Sequence, residues 1–75
     1  MTNSTTKFIK LGKNICLARK AKNLTQNELA EKLDITREHL AKIETAKRGL
    51  SLKLIFLLAD VLKIKEKDLF NFDER

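Results

Sequence analysis

Three observations predict an all-α fold for this 75-residue chain. It has no proline and only two glycines, while leucine, lysine, alanine and glutamate abound, so little interrupts a helix. Apolar residues return at spacings of three and four rather than in alternation. Thr25, Thr36 and Ser51, good N-cap residues, stand just ahead of successive apolar stretches.

The length allows one small domain, near the lower end of what a single core holds without staples. One cysteine rules out a disulfide within the chain and points to a reducing, cytosolic setting. One cysteine with one histidine cannot make a structural zinc site, and no metal or cofactor is expected. No apolar run approaches the ~20 residues of a membrane span, and MTNSTTKF lacks the apolar centre of a signal peptide, so a soluble, unexported protein is expected. A formal net charge of +6 favours a polyanionic partner, of which nucleic acid is the commonest; the competing reading is a basic domain that is merely soluble. An enzyme is not expected. There is no glycine-rich phosphate loop and no metal-ligand cluster, and Cys16 and His39 fall in different helices with no third group to orient them.

Residues 1–6 are polar and aperiodic and are expected to form a disordered tail. A first helix over 7–22, capped near Thr5 or Thr6, is predicted by Phe8, Leu11, Ile15 and Ala18. Its other face carries Lys7, Lys10, Lys13, Arg19, Lys20 and Lys22 without an acid. Cys16 and Leu17 are expected to be scattered surface apolar groups, the alternative being partial burial in an interface.

The second helix starts at Gln26, with Thr25 and Glu28 as a capping box, and turns Leu29, Ala30 and Leu33 inward. Asp34 tolerates the left-handed backbone of a tight turn, and Thr36 caps a third helix. In that helix Leu40 and Ile43 face in, Arg37, Glu38, Ala41 and Lys42 face out, and His39 lies to one side.

Ser51 caps a fourth helix to about residue 63, and here the apolar residues form two stripes. Leu52, Ile55, Ala59 and Leu62, flanked by Leu58, are expected against the core. Leu50, Leu54, Leu57 and Val61 fall on another side, to be covered by the last helix or by another copy of the chain. A short helix over 66–70, poorly capped by Lys65, completes a domain of residues 7–72 before a tail over 73–75. Phe70 and Phe72 either close the core or complete a dimer contact.

The stretch TQNELAEKLDITREHLAKIE resembles the helix-turn-helix of the phage repressor, Cro and XRE family. Counting Gln26 as the first motif position, Ala30, Ile35, Leu40 and Ile43 fall at the fifth, tenth, fifteenth and eighteenth, where that family places small and apolar residues. With RKAKNLTQ before it and IETAKRGLSLKLIFLLADVLKI after, the likeness covers residues 11–70, with the motif at 26–45. Ala46 and Leu50 depart from it, standing where relatives usually have glycine and proline.

The resemblance implies a compact five-helix, repressor-like DNA-binding domain whose helices 2 and 3 form the motif, with helix 3 in the major groove of double-stranded DNA. Carried over position by position, it places Thr36, Arg37, Glu38, Ala41 and Lys42 at base edges. Thr25, Gln26, Asn27, Lys47 and Arg48 fall at phosphates, and His39 at a phosphate or in simple packing. It also pairs Arg19 with Glu44 as a structural ion pair. The function so implied is a cytoplasmic, nucleoid-associated transcriptional regulator, either a homodimeric repressor or a small autoregulating controller. Its dimer contact would be Leu50, Leu54, Leu57, Val61, Phe70 and Phe72, and its operator roughly palindromic. The alternative is an antitoxin-like module whose second apolar stripe meets a different protein.

Overall fold

The computed structural model describes residues 3–71, and the described residues form helices joined by short turns, with no strand among them. In chain order they are α1 (Asn3–Ala21), α2 (Gln26–Leu33), α3 (Arg37–Glu44), α4 (Leu52–Leu62) and α5 (Glu66–Leu69). Helix α2 packs on α3 and α4, α1 packs on α3 and α5, and α4 also meets α5. Ile15, Leu29, Leu40, Leu58, Leu62 and Leu69 are fully buried where these helices converge. Each contributes about 2 kcal/mol of apolar transfer.

The caps are local and follow the sequence. Thr25 and Glu28 form the full capping box, Thr36 Oγ1 accepts from the His39 N–H at 3.0 Å, and Ser51 Oγ accepts from the Leu54 N–H at 3.1 Å. Lys65 makes no side-chain cap, but the Asp68 carboxylate accepts from its N–H at 3.2 Å. The first helix differs. It begins at Asn3, so residues expected in a disordered tail, and the expected caps Thr5 and Thr6, lie inside it. Once the helix is nucleated downstream, each added residue gains a backbone hydrogen bond, and the polar residues ahead of Lys7 do not stop that growth.

Four non-glycine residues, Asn23, Asp34, Ala46 and Lys63, adopt left-handed backbones, and each ends one of the first four helices. After α3 the Ala46 N–H donates to the Ile43 carbonyl at 3.1 Å and the Lys47 N–H to the Lys42 carbonyl at 2.7 Å, closing the helix. At Ala46 (φ 62°) a Cβ is strained in a way that Asn23 and Asp34 are not. Ala46→Gly is therefore expected to stabilise the domain by about 1 kcal/mol, read as a higher urea midpoint. A lower midpoint would contradict this.

Two expectations about burial are corrected. Phe8 shares the inward face of α1 but is 49% exposed, because it lies toward the N-terminal end of that long helix, away from the buried cluster that begins at Leu11. In α4 the buried face is centred between the two predicted stripes: Leu54, Leu58, Ala59 and Leu62 are buried, whereas Leu52 is 67% exposed. Leu54 thus belongs to the core rather than to a free stripe, and Leu50, Leu57 and Val61 pack half-buried against it. The open apolar side of α4 is Leu52 with Phe56, one turn apart. Phe72 and the tail over 73–75 lie outside the described residues.

Two close contacts on α1 hold the assembly together. A Cβ built on Gly12 would stand 2.6 Å from the Glu44 carbonyl oxygen and 2.7 Å from that of Ile43, so the backbones of α1 and α3 touch there. Asn14 Nδ2 donates to the carbonyls of Leu69 (2.9 Å) and Asn71 (3.0 Å), tying the end of α5 to α1.

Candidate nucleic-acid interface

The left-handed turn at Asp34 brings α3 back against α2. The Asp34 and Ile35 N–H groups donate to the carbonyls of Glu31 and Ala30, which ends α2 within one residue. Buried Leu40 and Ile43 seat α3 against the core, where α3 packs on α2 and α1. With that side fixed, Arg37, Glu38 and Lys42 are exposed along the outer face of α3, and Ala41 between them is half-buried. Thr36 is exposed at the head of the helix with its oxygen engaged in the cap. A donor fork, a carboxylate and an ammonium on one rigid rod can hydrogen-bond base edges in a groove about 12 Å wide.

The residues expected at phosphates form two groups. Thr25 and Asn27 are exposed at the start of α2, and Lys47 and Arg48 are exposed beyond the end of α3. Both are places where free backbone N–H groups or cations meet an anion without strain. The Thr25 N–H donates to Glu28 Oε1 at 2.9 Å, and chiefly through that bond the Glu28 carboxyl is held below the usual carboxylate range. His39, expected at a phosphate or in simple packing, lies to one side of the exposed row on α3. It is half-buried and lines an open groove with Leu54 and Leu57.

Arg19 and Glu44 meet as the resemblance implied. Arg19 Nε donates to Glu44 Oε2 at 2.8 Å and Nη2 to Oε1 at 3.2 Å, with 9% and 4% of the two side chains exposed. Arg19 Nη1 also donates to the Leu24 carbonyl at 2.8 Å. The hydrogen bond to Glu44 is the main influence raising the guanidinium pKa above its ordinary value, against the opposing effect of burial. One planar group thus joins α1, the turn before α2, and the last residue of α3.

Gln26, expected at a phosphate, is half-buried at the start of α2. Its Nε2 donates to Glu44 Oε1 at 3.0 Å, so one of its two N–H groups is committed inside the domain. Sequence spacing carried no signal for this bond, which joins residues 18 positions apart. Gly12 was also missed, although a lone glycine inside an apolar-periodic helix is itself a sign of close backbone approach.

Among the described residues no group of three or more His, Cys, Asp or Glu is placed to hold a metal ion, and no helix is long and apolar enough to cross a membrane.

A model of the helix-turn-helix family matches residues 17–69. An uncharacterized HTH-type transcriptional regulator of Archaeoglobus fulgidus is 42% identical over 52 residues, covering 69% of this chain and 73% of that protein. One of Methanocaldococcus jannaschii is 40% identical over 52 residues, covering 69% and 79%. The crystal structure of the restriction-modification controller protein C.AhdI from Aeromonas hydrophila superposes with a TM-score of 0.82 at 32% identity, covering 87% of this chain and 98% of that one.

Proposed function

This chain belongs to the helix-turn-helix family of DNA-binding transcriptional regulators, and from that premise we propose that it is a small autoregulating controller that binds its operator as a homodimer. The observation that carries the DNA-binding reading is the exposed row Arg37, Glu38 and Lys42 on a helix held from behind by Leu40, Ile43 and the buried Arg19–Glu44 pair. The controller assignment draws on the likeness to C.AhdI, whose length this chain covers almost entirely. Such a protein works beside the chromosome, in the cytoplasm.

In this reading α3 enters the major groove. Arg37 donates both arms of its fork to guanine O6 and N7, Lys42 reaches the same edge less selectively, and Glu38 accepts from cytosine N4 or steadies Arg37. Thr36 and Ala41 line the approach. Thr25, Gln26, Asn27, Lys47 and Arg48 grip phosphates and set the register without reading sequence. Arg37→Ala is expected to cost about 1–3 kcal/mol on the matched duplex and to relax one base position. Lys47→Ala should weaken all duplexes alike and lower the salt slope by about 1. Titrations on matched and mismatched duplexes decide this, and equal losses on both with Arg37→Ala would remove its assignment.

A single module buries too little surface for useful specificity, whereas a two-fold pair sets its recognition helices about 34 Å apart, one turn of a palindromic operator. The open side of α4, Leu52 with Phe56, supports the pairing, and Phe70, 43% exposed, is a further candidate. Phe56→Glu is expected to give a folded monomer on a sizing column, because Phe56 is half-exposed and its loss leaves the core intact. A dimer of unchanged size would place the interface elsewhere. A wild-type monomer would favour the antitoxin-like reading, in which that side meets a different protein.

A further inference from the structure

We infer that Glu44 is a positioning residue for the phosphate contact of Gln26: by accepting one amide N–H it fixes which end of the carboxamide faces the DNA strand. The inference rests on the DNA-binding reading above and adds a role for an acid that touches no DNA.

A carboxylate only accepts hydrogen bonds, so Glu44 Oε1, 3.0 Å from Gln26 Nε2, admits the NH2 end of the amide and repels the carbonyl end. Glu44 is itself held still. Arg19 binds both of its oxygens, at 2.8 and 3.2 Å, and Arg19 is anchored in turn to the Leu24 carbonyl at 2.8 Å. Glu44 takes one of the two Nε2 hydrogens and leaves the second, and Gln26, half-buried as the first residue of α2, keeps part of its surface exposed. That hydrogen and the free backbone N–H groups of the first turn then converge on one phosphate.

Arg19 cancels the charge of Glu44, so the acid orients Gln26 without repelling the DNA. Without Glu44 the amide is free to turn over and present its oxygen to the phosphate. Net charge and orientation therefore predict opposite results. Removing an acid beside DNA should tighten binding on charge alone, whereas loss of the orienting acceptor should weaken it.

The test uses the full chain and a duplex that the wild type selects from a random-sequence pool, remade as a series in which one phosphate at a time is a neutral methylphosphonate. In the wild type one phosphate per half-site is expected to cost about five-fold when neutralised, and Gln26→Met should abolish that cost at that phosphate alone. Glu44→Gln should abolish it too, with Gln26 still present, while the other phosphates keep their costs. A Glu44→Gln protein that keeps the Gln26-dependent cost, loses all phosphate costs uniformly, or binds more tightly would overturn the inference. A second measurement needs only the wild type: of the two Gln26 Nε2 protons, one should shift when DNA is added, and no shift in either refutes the idea. Failure to select any duplex would sink the DNA-binding reading itself. A selected duplex without a Gln26-dependent phosphate would sink the inference alone.

Discussion

Gly12→Ala is expected to destabilise the domain by about 2 kcal/mol and to lower its melting temperature by roughly 10 °C. Alanine normally favours a helix interior over glycine by about 1 kcal/mol, so propensity alone predicts the opposite sign. Packing decides the outcome. The added methyl would lie 2.6 Å from the Glu44 oxygen, 2.7 Å from the Ile43 oxygen and 2.9 Å from the Glu44 carbonyl carbon, and all three are backbone atoms that cannot rotate away. Helix α1 must lift off α3, which loosens Leu11 and Ile15 in the core and stretches the 2.8 Å bond between Arg19 and Glu44. Gly49→Ala is the control. Nothing lies within 4 Å of its added Cβ and its backbone is not left-handed, so a change near zero is expected. Thermal melts of the two variants, compared with wild type, check this, and an unchanged or raised midpoint for Gly12→Ala would show that the two helices separate freely.

Arg19→Met is expected to cost about 3 kcal/mol, because it keeps the bulk of the side chain but leaves the Glu44 carboxylate, 4% exposed, without its counter-charge. The Leu24 carbonyl loses a donor as well. Most of this cost is the penalty of an unpaired buried charge, so Arg19→Met with Glu44→Met should be closer to wild type than Arg19→Met alone. Urea unfolding of the four proteins in this cycle measures the coupling. Strictly additive losses would mean that the pair is solvated in solution and contributes little.

The two variants bear differently on function. Gly12→Ala displaces α3 as a body and should weaken every DNA contact together. Arg19→Met leaves the seat of α3 on Leu40 and Ile43 but frees its last turn, beside Lys47 and Arg48. The larger binding loss is therefore expected from Gly12→Ala, measured well below the melting temperature of both.

Much of the recognition unit was legible in the residues. The capping box at Thr25 and Glu28, the left-handed turn at Asp34, the cap at Thr36 and the inward set Leu29, Ala30, Leu33, Leu40 and Ile43 all stand as their spacing implies. The pairing of Arg19 with Glu44 came from family likeness, since nothing in spacing alone joins them. The fourth helix is rotated from the orientation its spacing predicts. Its apolar residues extend around so much of its circumference that periodicity could not say which of them meet α2 and α5, and Leu54 and Leu52 exchanged roles.

What this sequence determined by itself is where helices start, turn and stop, because a cap or a left-handed residue acts through hydrogen bonds spanning no more than a few positions. Tertiary structure alone decided which side of α4 is open, that Gly12 must lack a side chain, and which way the Gln26 amide faces. Each of these depends on atoms brought together from distant parts of the chain, and the separation and rotation of packed helices are set by the summed volumes of all the side chains between them.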